Sequence, residues 1–182
     1  DDALLNAPTL ARRAEGAGVR MVTIHGRTRC QFYKGQADWA AIRAVKEAVN
    51  VPLIANGDIT DSSRAAEALR LSGADGVMIG RGAYGRPWLL GQVMRELQHG
   101  EQVAEPGIDE QYALIVEHYQ AMIMHYGAQT AVPIARKHLG WYTRGLHGSA
   151  EFRNMANQMG DAQMVLDALA RFYEPWLARQ AA

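Results

Sequence analysis

Short apolar runs alternate with longer segments of helical character over the first hundred residues. Residues 20–25, 51–55 and 76–79 form apolar runs of the length and composition typical of strands. The segments before, between and after these runs are predicted helices, in the clearest cases with apolar residues three or four positions apart. This α-β-α-β-α-β-α order predicts a parallel sheet, because helical crossovers are what join parallel strands.

Residues that commonly begin helices delimit these segments. The first helix is predicted over residues 8–18, with a proline in its first turn. Asp38 is positioned to cap the second helix, and either Thr60 or Asp61 to cap the third. The fourth helix is predicted to begin at Pro87, and its expected apolar face consists of Leu90, Val93, Met94 and Leu97.

The pattern changes after residue 99. Residues 100–107 contain one proline and two glycines and predict a linker. Asp109 is positioned to cap a helix with a long apolar stripe, formed by Tyr112, Ile115, Val116, Tyr119, Met122, Ile123 and Tyr126. Further helices are predicted at about residues 129–143, 150–159 and 161–173. With no strand pattern in it, the second half is predicted to be a small helical bundle.

Composition excludes several classes of protein. The 182-residue chain is 48% hydrophobic and has a formal net charge of zero, so any nucleic-acid surface must arise from local clustering of charge. Its single cysteine, Cys30, cannot form an intrachain disulfide, which suits a cytoplasmic protein. No apolar run approaches the ~20 residues that a membrane-spanning helix needs, and no metal-ligand spacing is present. Because the chain begins with aspartate, we expect a processed or truncated polypeptide.

Glycines and polar residues follow each of the three strands. His25 to Arg29 follow the first strand, Asn56 to Asp58 the second and Gly80 to Gly82 the third. In parallel α/β structures, ligands bind where strands end and loops begin. Arg27 and Arg29 carry guanidinium groups that suit a phosphate. The three groups together therefore predict a site for a polar, phosphorylated ligand.

Each of these groups has a structural alternative. His25 alone could be a hydrogen-bonded residue at a strand end, and Asn56-Gly57 could form a hairpin turn. A capped helix follows Asn56-Gly57, however, so a β-to-α loop is the better interpretation. There the side chains of Asn56 and Asp58 and the backbone of Gly57 could contact a bound ring or ribityl hydroxyls. Residues 80–85 match G-x-G-x-x-G, but no second strand ending in an acidic residue follows, which excludes a Rossmann site.

A basic face is predicted in the helical half. Lys137, Trp141 and Arg144 fall on one side of a helix, with Arg136 nearby. Residues 128–158 carry four Arg or Lys residues and one acidic residue. Cations with an interleaved aromatic residue suit a nucleic-acid backbone. A solvated helix face with a core tryptophan is an equally good interpretation of this pattern alone.

In combination these motifs resemble the C-terminal part of the tRNA-dihydrouridine synthases, most closely the bacterial B-type branch. The resemblance covers essentially the whole chain, and it depends on the order and spacing of the motifs. They are residues 24–29, 33–39, 55–59 and 78–83, with Arg136-Lys137-His138 and Trp141-Tyr142.

The resemblance implies an FMN-binding TIM barrel followed by a helical tRNA-binding domain. Residues 1–99 would supply the last three βα units of the barrel, residues 100–107 a linker and residues 108–182 the helical domain. The implied FMN contacts are His25 on the phosphate side, Asn56, Gly57 and Asp58 along the flavin, and Gly80 and Arg81 at the phosphate. The implied RNA-binding residues are Arg27, Arg29, Arg136, Lys137, Trp141 and Arg144.

In such enzymes NADPH reduces the flavin, which passes a hydride to C6 of a flipped-out uridine while an acid protonates C5. The family's proton-donating cysteine, and a lysine that contacts FMN, belong to earlier strands, and Cys30 does not match that position. We therefore assign no catalytic residue in this chain and expect the 182-residue piece alone to be inactive. Two alternatives stay open: an FMN barrel that reduces a small molecule, and a non-catalytic RNA-binding helical module.

Overall fold

A computed structural model describes residues 4–180, without the side chain of Gln180. The chain divides into two compact units. The first contains the residues up to 83 together with 87–103, and the second contains residues 84–86 together with those from 104 onward. None of the helices formed by the described residues is both long enough and apolar enough to cross a membrane.

The first unit is a three-stranded parallel sheet with helices between its strands. The strands are β1 (Val22–His25), β2 (Leu53–Asn56) and β3 (Gly76–Met78), in the order β1-β2-β3. The helices are α1 (Ala7–Gly16), α2 (Trp39–Lys46), α3 (Ser62–Ser72) and α4 (Leu89–His99), with a short 3₁₀ turn at Arg81–Ala83. The predicted parallel pairing is confirmed.

Two of the predicted helix caps in this unit are confirmed. The Asp38 carboxylate accepts a hydrogen bond from the Ala41 amide at 2.9 Å, and Asp61 accepts one from the Arg64 amide at 2.8 Å. These bonds satisfy amides that have no partner within the helix itself. The core of the unit includes the buried side chains of Trp39, Ile42, Val45, Leu53, Ala55, Ala65, Ala68, Leu89 and Val93.

The apolar face predicted for α4 is only partly buried. The helix begins at Leu89 rather than Pro87, and its buried residues are Leu89, Gln92 and Val93. Of the four residues predicted on that face, Val93 is buried, and Leu90, Met94 and Leu97 are exposed. The apolar pattern did not indicate the buried face of α4 because that face includes the polar Gln92. The Gln92 side-chain amide donates to the Val103 carbonyl at 3.3 Å.

The described residues of the second unit form four helices. They are α5 (Ile108–Tyr126), α6 (Ala128–Tyr142), α7 (Ser149–Gln158) and α8 (Ala162–Gln180). Residues 100–107 carry neither helix nor strand. The core is formed by residues of all four helices, among them Ile115, Tyr119, Leu139, Phe152, Leu169 and Tyr173. The expected all-helical character of this half is confirmed.

Three details of these helices differ from expectation. Asp109 lies inside α5 rather than at its cap, which is Gly107, whose amide donates to the Glu110 carboxylate at 3.1 Å. Tyr126 is exposed rather than part of the core. Helix α8 continues through Pro175, although proline removes a backbone hydrogen bond. Tyr173 is buried before this proline and Leu177 packs on the same core after it, so packing on both sides outweighs that loss.

Candidate functional site

The carboxyl ends of the three strands place polar groups side by side. His25 pairs in register with Asn56, and Asn56 pairs with Met78. The Asn56 side-chain amide donates to the Met78 carbonyl at 2.7 Å, and the Gly26 amide donates to the Asn56 carbonyl at 2.9 Å. The expectation that His25 and Asn56 share one edge of the sheet is therefore met.

The loops after β1 and β2 are joined by an ion pair between Arg27 and Asp58. Arg27 donates to both Asp58 carboxylate oxygens, from Nη1 to Oδ1 at 2.9 Å and from Nη2 to Oδ2 at 2.6 Å. It also donates to the carbonyls of Lys34 and Gly35, at 3.2 and 2.8 Å. With its side chain only 4% exposed, Arg27 has an internal role. The RNA contact expected of it would require breaking these bonds.

Asp58 is held as an anion by this arrangement. Its Oδ2 accepts a further hydrogen bond from the Ala37 amide at 2.8 Å. Burial alone would raise the pKa of Asp58, but the hydrogen bonds from Arg27 and Ala37 outweigh burial and hold that pKa below its usual value. The carboxylate therefore fixes the positions of the two loops.

Side chains of α2 and α3 hold the backbone of the β2–α3 loop. The Trp39 indole donates to the Gly57 carbonyl at 2.8 Å, and Arg64 Nε donates to the Asp58 carbonyl at 2.9 Å. Gly57 has φ +116°, and a Cβ added to it would lie 2.8 Å from the Ala37 Cβ and 3.1 Å from the His25 ring. Gly57 is thus a packing residue beneath His25, since only glycine fits there.

The third strand end presents Arg81 to solvent. Its side chain is 54% exposed, with Nη2 3.9 Å from Asp58 Oδ1 and the guanidinium 4.5 Å from the centre of the Tyr33 ring. A Cβ added to the neighbouring Gly80 would meet no atom within 4 Å. Gly80 and Arg81 together form an open, cationic position at the end of β3.

His25 lies in a positively charged setting. Burial lowers the pKa of His25, the charges of Arg27 and Arg81 lower it further, and the charge of Asp58 opposes them. The imidazole is therefore mainly neutral at neutral pH. The other candidates in this loop, Arg29 and Cys30, are exposed. Residues 4–180 contain no cluster of three His, Cys, Asp or Glu side chains that could hold a metal ion.

A separate concave surface lies in the helical unit, along α6 and α7. We call it the basic groove. It has a volume of about 640 Å³, and it is lined by Pro133, Ile134, Arg136, Lys137, Gly140, Trp141, Arg144, Arg153 and Asn157. All four residues expected to bind RNA in this half are among them. The sequence interpretation had not assigned Arg153 and Asn157, which lie four residues apart on α7 and so share a helix face.

Two members of the basic groove are anchored by internal contacts, and the two exposed cations differ, since Lys137 Nζ lies over the Trp141 ring, 6.0 Å from its centre. Arg136 Nη2 donates to the Met159 carbonyl at 3.0 Å. The Trp141 ring stacks on Tyr84 and meets the edge of His138, with ring centres 4.0 and 5.0 Å apart. Lys137 and Arg144 are exposed. The groove therefore has exposed cations at Lys137 and Arg144, and its floor includes the anchored Arg136 and Trp141 side chains.

Comparison with known proteins identifies the relatives of this chain. The family model described as dihydrouridine synthase matches residues 1–175. A probable tRNA-dihydrouridine synthase from Rickettsia conorii is 57% identical over 173 residues, covering 95% of this chain and 52% of that protein. The corresponding protein from Rickettsia bellii is 55% identical over 180 residues, covering 99% of this chain and 55% of that protein.

The B-type branch is also represented. The tRNA-dihydrouridine synthase B from Xanthomonas axonopodis pv. citri is 43% identical over 183 residues, covering 97% of this chain and 55% of that protein. The chain thus spans about half the length of the curated relatives it matches.

Proposed function

Since this chain belongs to the dihydrouridine synthase family, we propose that the full-length protein reduces uridine to 5,6-dihydrouridine in tRNA. The observation that carries the proposal is the family match over residues 1–175, together with relatives named for this activity. Those names specify a tRNA substrate, which favours this function over reduction of a small molecule. They also name an enzyme, which disfavours a purely RNA-binding module.

We further propose that FMN binds at the carboxyl ends of the three strands, with NADPH as the reductant. Residues 1–99 would then be the C-terminal part of a TIM barrel. The residues present fit a phosphorylated ligand, because Arg81 offers an exposed cation and Gly80 leaves open space beside it. When bound, FMN supplies the hydride chemistry. Gly80 and Arg81 hold its phosphate. At the ends of the other two strands, His25 contacts the phosphate side of FMN and Asn56 contacts the flavin.

Asp58 and Gly57 have a supporting role in this proposal. Both Asp58 oxygens accept hydrogen bonds from Arg27, and Gly57 lies packed beneath His25. They set the height and orientation of the surface on which the cofactor rests. We assign no proton donor within this chain, and Cys30 is not given that role.

The helical unit is proposed to bind tRNA through the basic groove, which gives residues 108–182 their function. Four cations line the groove, and none of its lining residues is acidic. Such a surface attracts a phosphate backbone. Lys137 and Arg144 contact phosphates, while Arg136 and Trp141 form the base of the groove. Arg29, exposed in the loop after β1, is proposed as an RNA contact of the first unit.

The test is a reduction assay with the purified full-length protein. The absorption spectrum of the protein is recorded to detect flavin. The protein is then incubated with NADPH and with tRNA that lacks dihydrouridine. Digested nucleosides are then analysed by mass spectrometry for uridine that has gained two hydrogens. The expected result is flavin in the purified protein and dihydrouridine that forms only with NADPH. A flavin-free protein that leaves the tRNA unchanged after FMN is added would overturn the proposal.

A further inference from the structure

The exposed guanidinium of Arg81 lies against a residue of a different loop. Tyr33, in the β1–α2 loop, places its ring centre 4.5 Å from the Arg81 guanidinium carbon. Asp58 Oδ1 is 3.9 Å from Arg81 Nη2, which is beyond hydrogen-bond distance. The Arg81 head group is therefore held by a long ion pair with Asp58 and by the face of the Tyr33 ring.

Asp58 is paired with Arg81 only at this longer distance, because its hydrogen bonds go to Arg27 and Ala37. Arg27 occupies both of its oxygens, and the Ala37 amide adds a third hydrogen bond. A guanidinium that rests on a ring keeps its N–H groups at its edge, where they can still donate. A two-pronged bond to a carboxylate would use those same groups. The arrangement thus positions Arg81 while leaving its donors available.

The position of Tyr33 is itself set by Arg27. The Arg27 guanidinium donates to the carbonyls of the two residues that follow Tyr33, Lys34 and Gly35. The Lys34 amide in turn donates to the Gln31 carbonyl at 2.8 Å. The backbone on both sides of Tyr33 is therefore held by hydrogen bonds, although the residue is 64% exposed.

We propose that Tyr33 is a positioning residue for Arg81: its ring holds the guanidinium ready for the phosphate of the flavin cofactor. The inference rests on the proposed function, since the anion is the FMN phosphate. The role assigned to Tyr33 is exerted through its contact with Arg81. Its contribution is to reduce the freedom that a long arginine side chain would lose on binding.

The experiment compares FMN with riboflavin, which lacks the phosphate, in titrations of the apoprotein form of the full-length protein by flavin fluorescence. Tyr33→Leu removes the ring, Tyr33→Phe keeps it, and Arg81→Ala removes the cation. Phe32→Leu is the matched control, because Phe32 is the adjacent exposed aromatic residue and packs against Tyr33 rather than Arg81. Circular dichroism checks that each variant is folded.

Tyr33→Leu is expected to weaken FMN binding roughly two- to fivefold, the range of one exposed cation–π contact. Riboflavin binding should not change, Tyr33→Phe and Phe32→Leu should bind FMN as the parent does, and Tyr33→Leu should add nothing to Arg81→Ala.

If FMN binds more tightly than riboflavin through Arg81 but Tyr33→Leu is without effect, the inference is wrong and the proposed function stands. Equal weakening of both ligands would also overturn it. A parent protein with no preference for FMN would instead refute the phosphate site, and this inference with it.

Discussion

Trp141 lies flat against Tyr84 in the helical unit, with ring centres 4.0 Å apart and ring planes 9° apart. Tyr84 belongs to the short segment 84–86, which packs on the end of α6. A Cβ added to Gly85 would lie 2.5 Å from the Trp141 carbonyl oxygen, so glycine is required for this close approach. One face of the Trp141 indole is therefore used within the protein and is not available to stack on a base.

The Tyr84–Trp141 stack should stabilise the helical unit. Stacked aromatic pairs contribute about 0.5–1.5 kcal/mol beyond the area they bury. We expect Trp141→Ala and Tyr84→Ala each to lower the free energy of unfolding by about 1–3 kcal/mol. In urea denaturation, the double variant should lose less than the sum of the two single losses. Strictly additive losses would show that the stack contributes nothing of its own.

The basic groove should bind tRNA through Lys137 and Arg144. Each phosphate contact that is lost flattens the plot of log affinity against log salt concentration by ~0.7–0.9. We therefore expect Lys137→Ala and Arg144→Ala in the full-length protein to weaken tRNA binding and to reduce the salt slope by that amount each. Filter binding at several salt concentrations measures both quantities.

A control for this prediction is Arg171→Ala, which removes the same charge from an exposed position on α8 that does not line the groove. It should leave the affinity and the salt slope unchanged. Parental binding by folded Lys137→Ala and Arg144→Ala proteins would show that the groove is ordinary solvated surface.

Sequence was sufficient for features that depend on neighbouring residues. The caps at Asp38 and Asp61 could be predicted because the acceptor and the amide it binds are three residues apart. That His25 and Asn56 lie side by side at the ends of their strands could be predicted because parallel strands align their carboxyl ends. Helical periodicity also grouped Lys137 with Trp141 on α6, but Arg144, predicted on the same helix face, lies in the turn that follows this helix.

Features that depend on distant residues could not be predicted. Arg27 and Asp58 are 31 positions apart, and both looked like ligand-binding residues because each is polar and follows a strand. Their partnership requires the exact approach of two loops. The contact of Tyr33 with Arg81 is of the same kind. The buried face of α4 could not be predicted for a different reason: burial of the polar Gln92 depends on a carbonyl outside the helix.

The stability supplied by Asp58 should depend on pH. Because its pKa is lowered in the folded state, the ionised carboxylate stabilises the fold above the unfolded-state pKa of 3.8. This stabilisation is lost as the pH falls through the lowered pKa. Parent and Asp58→Asn should therefore differ most in unfolding free energy above about pH 5, and the difference should shrink below pH 4. Urea denaturation across this range measures it, and a constant difference would contradict the assigned ionisation.

The tightest backbone contact near the candidate phosphate position is made by Gly82. A Cβ added there would lie 2.3 Å from the Ile59 carbonyl oxygen and 3.1 Å from the Thr60 Cα, both backbone atoms that cannot move aside as a side chain could. Ile59 is buried in the core of the first unit. Relief of the clash must therefore displace the loop after β3, which carries Arg81.

We expect Gly82→Ala to lower the free energy of unfolding by about 1–3 kcal/mol, the usual cost of overpacking. Gly80→Ala is the matched comparison, since a Cβ at position 80 meets no atom within 4 Å and neither glycine has a positive φ. Its unfolding free energy should stay within about 0.5 kcal/mol of the parent value. Because the Gly82 variant shifts Arg81, it should also bind FMN more weakly than the parent while riboflavin binding changes less. Equal stability of the two variants in urea would mean that the loops yield without cost, and that the close packing of Gly82 does not hold Arg81 in place.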